Sequence, residues 1–168
     1  MKNENTAPRL QPVRFERTYD GPVDDLWDLW TTKEGFESWW GPEGFRVEVS
    51  QIEPHVGGRL EYGMIAARAD EVAHMKQQGW AVRHDTHGTF IEVNPKRRLT
   101  IRHRIDFIPG LEPYDNDMQV EFVPDGDRVR MVVLIQAHST DAWTRQAAQG
   151  FESQLTKVPA ALAARRSS

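Results

Sequence analysis

The sequence predicts an α+β domain: a curved antiparallel sheet of about six to seven strands wrapped around a long C-terminal helix, with two short helices after the first strand. Three observations predict it. Apolar side chains alternate with a period of two through most of residues 45–135, and turn signals separate the runs, so successive strands are antiparallel neighbours. The period changes to three and four around residues 23–40 and again after residue 139, which segregates the main helices from the sheet. A hydrophobic content of 39% with six tryptophans in 168 residues supports one core of ordinary size.

In chain order, residues 1–12 are polar and end in Leu10-Gln11-Pro12, which predicts a flexible arm ahead of a single domain over 13–163. Val13, Phe15 and Arg17 alternate against Arg14, Glu16 and Thr18 as a half-buried strand. Asp20-Gly21-Pro22 turns the chain into a helix whose stripe is Val23, Leu26, Trp27 and Trp30. A second short helix carries Phe36, Trp39 and Trp40 into the turn at Gly41-Pro42. Strands follow over 45–52 and 59–66, then a helical excursion over 67–80 that Gly79 stops, and a strand over 81–93. Leu99, Ile101, His103, Ile105 and Phe107 form the clearest alternation, and Met118, Val120 and Phe122 begin a hairpin completed by Val129–Ile135. A capped helix with Trp143, Ala147, Gly150, Phe151 and Leu155 on one face closes the domain, with Pro159 late in it as a kink or stop. Gly150 in its interior is expected to serve close packing or a bend. Residues 164–168 are read as a flexible tail.

Composition narrows the function. A net charge of −4, with no basic run beyond Arg165-Arg166, argues against a nucleic-acid partner. The absence of cysteine excludes disulfides, thiolate catalysis and cysteine-held metal. No stretch approaches membrane-spanning length and no apolar signal core opens the chain, so a cytoplasmic protein is expected. There is no phosphate loop, no nucleophile motif and no implied cofactor; Gly57-Gly58 is too short for a dinucleotide fingerprint and precedes a strand.

The chemistry-bearing residues are few. In the adjacent pair Trp39-Trp40, one ring is expected to pack inward while the other covers a neighbouring element or a cavity rim; an aromatic plug and a pocket mouth both fit. His103 stands on the apolar parity of its strand, either as a neutral, hydrogen-bonded core histidine or as a group aimed at a ligand. A hairpin at Asn94-Pro95 would set residues 87–89 opposite it, so that His87 or Thr89 shares its face, whereas Glu92 has the opposite parity to His87 in a regular strand. Two imidazoles in one cavity could orient a carbonyl or move a proton. Asp70, His74, His84, Asp85 and His87 lack metal-ligand spacing, and no metal is expected.

Several stretches resemble one superfamily: Trp27-Asp28-Leu29-Trp30-Thr31, Trp39-Trp40-Gly41-Pro42-Glu43-Gly44-Phe45, Gly57-Gly58-Arg59, His87 to Val93 with Asn94-Pro95, and the closing Trp-bearing helix. Together, over residues 13–163, they resemble the SRPBCC superfamily, and more narrowly the domain shared with the activator of heat-shock-protein-90 ATPase. The resemblance implies a START-like, helix-grip fold with an internal cavity between sheet and last helix. Function is less constrained, since the superfamily holds lipid carriers, cyclases, hydroxylase subunits and chaperone cofactors. The segment over 67–82 departs from the compact hairpin expected there. The function expected first is binding of a small hydrophobic or amphipathic molecule, lined by Trp39, Trp40, Phe45, Tyr62, Met64, His87, His103, Met118, Trp143, Ala147 and Phe151. Two alternatives stay open: a module that modulates a chaperone ATPase through protein contacts, and a cyclase- or hydrolase-like enzyme using cavity histidines. Homodimerisation is left open as well.

Overall fold

The structure is a computed structural model that describes residues 11–106 and 110–166. Seven strands, β1 (Val13–Asp20), β2 (Phe45–Ile52), β3 (Arg59–Ala66), β4 (Arg83–Asn94), β5 (Arg98–Ile105), β6 (Tyr114–Asp125) and β7 (Arg128–Ile135), form one antiparallel sheet in the order β1-β7-β6-β5-β4-β3-β2. The path follows from the connections. Helices α1 (Val23–Thr31) and α2 (Lys33–Trp39) carry the chain from one edge of the sheet to the other. The chain then returns strand by strand, with α3 set between β3 and β4, until β7 pairs with β1.

Local chemistry sets the two short helices. Extended Pro22 caps α1, Asp24 and Asp25 sit in its first turn, and Leu26, Trp27, Leu29 and Trp30 form its buried stripe. Thr32 ends α1 and caps α2: its hydroxyl accepts from Gly35 N–H at 3.0 Å and donates to Asp28 O at 2.9 Å. A Cβ on Gly35 would stand 2.2 Å from Asp28 O, so only glycine lets the helices meet this closely. Because α2 stops at Trp39 and Trp40 is extended, both tryptophans are buried instead of one reaching a rim. Trp39 donates to Leu29 O at 2.8 Å, and its ring meets Trp30 edge-on at 5.0 Å.

These rings, with Phe36 and Leu26, fill one end of the concave face against Leu60, Phe90, Leu99, Val120 and Met131. Extra residues bulge β2 at Ser50 and β4 at Ile91. The second bulge shifts the parity of β4, so Glu92 lies beside Thr100 on the outer face, the same face as His87.

The closing helix is two helices, α4 (Asp141–Leu155) and α5 (Val158–Arg166). The break at Thr156-Lys157 leaves Pro159 in the first turn of α5, where its missing N–H costs nothing. It also carries helix beyond residue 163, where a tail was expected. Gly150 serves neither close packing nor the bend, since a Cβ built there meets nothing within 4 Å. The helical excursion, α3 (Ala69–Gln77), buries no side chain and ends at Gly79, whose φ is +73°. The expected N-terminal arm, apart from residues 11 and 12, lies outside the described residues, as does Phe107.

Candidate functional site

The concave face has two chemically different ends. Beyond the aromatic core, the inward positions of β3 to β6 carry Tyr62, Met64, His84, Thr86, Gly88, His103, Ile105, Tyr114, Asn116 and Met118. None of these is a lysine, arginine, aspartate or glutamate. At the centre runs a buried polar chain. Trp40 Nε1–H donates to the Tyr62 hydroxyl at 3.0 Å, and that hydroxyl lies 3.2 Å from His103 Nε2. Indole N–H only donates, so the Tyr62 oxygen accepts from Trp40, and the hydroxyl's own proton is assigned to the acceptor within its reach, His103 Nε2. That assignment makes Nε2 the acceptor and places the ring proton on Nδ1.

Burial pushes the His103 pKa down from 6.5 to about 4, with nearby His138 and His87 adding to the effect and Asp117 opposing it, so the ring is neutral at pH 7. Burial likewise holds the Tyr62 phenol well above its ordinary range and His84 below its own. Beside His103, Asn116 donates through Nδ2 to Gln136 O at 2.9 Å, which fixes the orientation of its amide. Tyr114 and His138 Nδ1 lie 2.5 Å apart. His138 N–H in turn donates to Thr144 Oγ1 at 2.9 Å and ties this corner to the start of α4.

Helix α4 starts beside this end, tied to it through Thr144 and His138, and its two halves differ. The last turn is anchored by buried Phe151, Gln154 and Leu155, with Gly41 N–H donating to Gln154 Oε1 at 3.1 Å and Glu43 N–H to Ser153 Oγ at 2.9 Å. Residues 141–150 bury no side chain, and the partly covered positions there are Thr144, Ala147, Ala148 and Gly150. Small residues on the inward side of a helix give it little to grip.

Residues 20–163 match the family described as activator of Hsp90 ATPase homolog 1-like protein. The chain belongs to that family. Solved structures agree on the fold at low identity. A Chromobacterium violaceum protein superposes with a TM-score of 0.74 at 20% identity, covering 90% of this chain and 96% of its own. An Arthrobacter aurescens protein gives 0.73 at 19% identity, with coverages of 91% and 86%. A Silicibacter pomeroyi protein of the same family name gives 0.72 at 18% identity, with coverages of 92% and 99%. No curated protein matches the sequence.

Within this family fold the residues expected to line a cavity fall into three groups. Trp40, Tyr62 and His103 are joined directly, with Met64, Met118 and Ala147 in or over the same end of the face. Trp39 and Phe151 belong to the aromatic core, and Phe45 is half-buried on the edge strand β2. His87 and Trp143 do not face in. Gly88, not His87 or Thr89, pairs with His103, which turns His87 to the outer face, where its Nε2 lies 2.9 Å from Asp106 Oδ2. Trp143 is 36% exposed on α4. Two imidazoles from His87 and His103 therefore do not share a cavity; His138 is the imidazole on this side of the sheet close enough to weigh on His103.

Two hollows among the described residues bear on this. The larger, about 370 Å³, is lined by Ser50, Glu61, Arg83, Asp85 and His87 together with Tyr62 and Thr86, so it borders two members of the site from the side of the outer face. The smaller, about 90 Å³, touches Tyr19, Asp20, Pro159 and Leu162. Neither opens beneath α4. Among the described residues no group of three or more His, Asp or Glu is placed to hold a metal, and no helix is long and apolar enough to cross a membrane. Asn116, Thr86 and His84 were missed as members of the site. Asn116 keeps step with Met118, Val120 and Phe122, and His84 and Thr86 with Phe90, so parity carried the signal.

Proposed function

We propose that the protein binds a small amphipathic molecule at the polar end of its concave face, admitted when the first ten residues of α4 swing outward. One observation carries this reading. A neutral, buried polar group chain is paired with a helical segment that buries no side chain of its own and is tied to the same corner of the fold at His138. Burying polar groups costs stability unless they are paired, so a cluster beneath a weakly held cover is better suited to receive a ligand than to support a core. The anchored last turn of α4 supplies the pivot, and the missing neighbours at Gly150 leave that side of the helix unencumbered. Binding and opening are then one equilibrium, and the ligand takes the closed-state contacts of α4.

Native mass spectrometry and thermal shift with octanamide and 1-octanol test the reading. Both probes are expected to bind wild type and to bind the folded Tyr62→Phe/His103→Phe variant less tightly. If neither probe binds the folded wild type, the reading fails.

A second reading, modulation of a chaperone ATPase, draws support from Trp80, which is 55% exposed just after α3, and from Val56, which is 66% exposed. Stimulation of the host chaperone ATPase by wild type, lost in Trp80→Ser, would favour it; no stimulation would remove it.

A further inference from the structure

We infer that the ligand is uncharged and presents a hydrogen-bond acceptor next to a donor, as a primary amide or a hydroxy-ketone does. The inference rests on the reading just given and specifies the chemistry of the same site. His103 and Asn116 are direct neighbours across β5 and β6, and they are 7% and 4% exposed. Nε2 of His103 is taken by Tyr62 and Nδ2 of Asn116 by Gln136 O. That leaves His103 Nδ1–H as a donor and Asn116 Oδ1 as an acceptor, on paired residues of one face. Neither atom has a hydrogen-bond partner among the described residues, and neither is among the sealed, unsatisfied atoms of the interior. A ligand carbonyl fits the first and a ligand N–H or O–H the second.

The strand positions around this pair carry no charge, and the Lys157 ammonium is turned to the Trp40 carbonyl oxygen at 3.4 Å. No inward position of β3 to β6 bears a formal charge, and the partly covered positions in the first ten residues of α4 are Thr144, Ala147, Ala148 and Gly150, all uncharged. Asp117, the carboxylate that weighs on His103, faces the other side of the sheet, where Arg102 holds both its oxygens at 2.8 and 2.9 Å. A carboxylate or ammonium brought here would lose water without gaining a counter-ion, whereas an amide exchanges two water hydrogen bonds for two protein ones.

The test is calorimetric titration of wild type at pH 7.5 with octanamide, 1-octanol, octanoate and octylammonium, which share one apolar chain. Octanamide is expected to bind tightest, with octanoate and octylammonium at least about tenfold weaker. Asn116→Leu, checked for folding by circular dichroism, is expected to bring octanamide down to the affinity of 1-octanol. Octanoate or octylammonium binding as tightly as octanamide overturns the inference while leaving a ligand site in place. Retained preference for octanamide in Asn116→Leu overturns the assigned acceptor. Failure of all four probes overturns the underlying function.

Discussion

Replacing His103 by phenylalanine should change how stability responds to acid. The ring's pKa is about 4 in the native state against 6.5 when exposed. Above pH 6.5 the imidazole is neutral in both states and takes nothing from stability. As pH falls below 6.5 the unfolded chain binds a proton that the native chain refuses, so stability drops until about pH 4, below which both are protonated. At about 1.4 kcal/mol per pH unit, that window amounts to about 3 kcal/mol. Phenylalanine preserves the ring but deprives the Tyr62 hydroxyl of its acceptor, which costs about 1–3 kcal/mol at every pH. Urea unfolding at pH 7.5 should therefore find His103→Phe less stable than wild type. At pH 4.5 the difference should shrink or reverse, because wild type alone carries the histidine penalty. His84 and His138 are also held down by burial and act in the same direction in both proteins, so they leave the comparison intact. An identical stability gap at the two pH values would refute the buried neutral ring.

Three further outcomes follow from the packing. Gly35→Ala puts a methyl 2.2 Å from Asp28 O and 2.7 Å from the Thr32 hydroxyl, so calorimetry should show a loss above about 3 kcal/mol or no folded protein. Thr140→Ala removes the hydroxyl that accepts from Trp143 N–H at 3.1 Å; stability should fall by about 1 kcal/mol, and ligand association in stopped-flow should accelerate as the start of α4 frays. Gly150→Ala meets no neighbour within 4 Å in an ordinary helical conformation, so thermal unfolding should report a gain of up to about 1 kcal/mol.

The architecture was readable because its signals are local. Alternation marked β2 and β3 to the residue, and the Trp30–Trp39–Phe36 cluster follows from the stripes of two short helices. The site was only half readable, because side-chain facing depends on events that periodicity averages away. One inserted residue near Ile91 put Glu92 on the face of His87, and a register one step from the guess set Gly88 against His103. The end of α2 between two tryptophans let both rings turn inward. Asn116 needed β6 to start at Tyr114, four residues before its first evident apolar position. How closely α4 sits on the sheet is a tertiary quantity with no sequence period at all.

The most direct test of the account is a 15N–1H correlation spectrum of the protein titrated with octanamide. Shifts centred on His103, Asn116 and the first ten residues of α4 are the predicted result. Shifts centred instead on Glu61, Asp85 and His87, around the outer cleft, would contradict it.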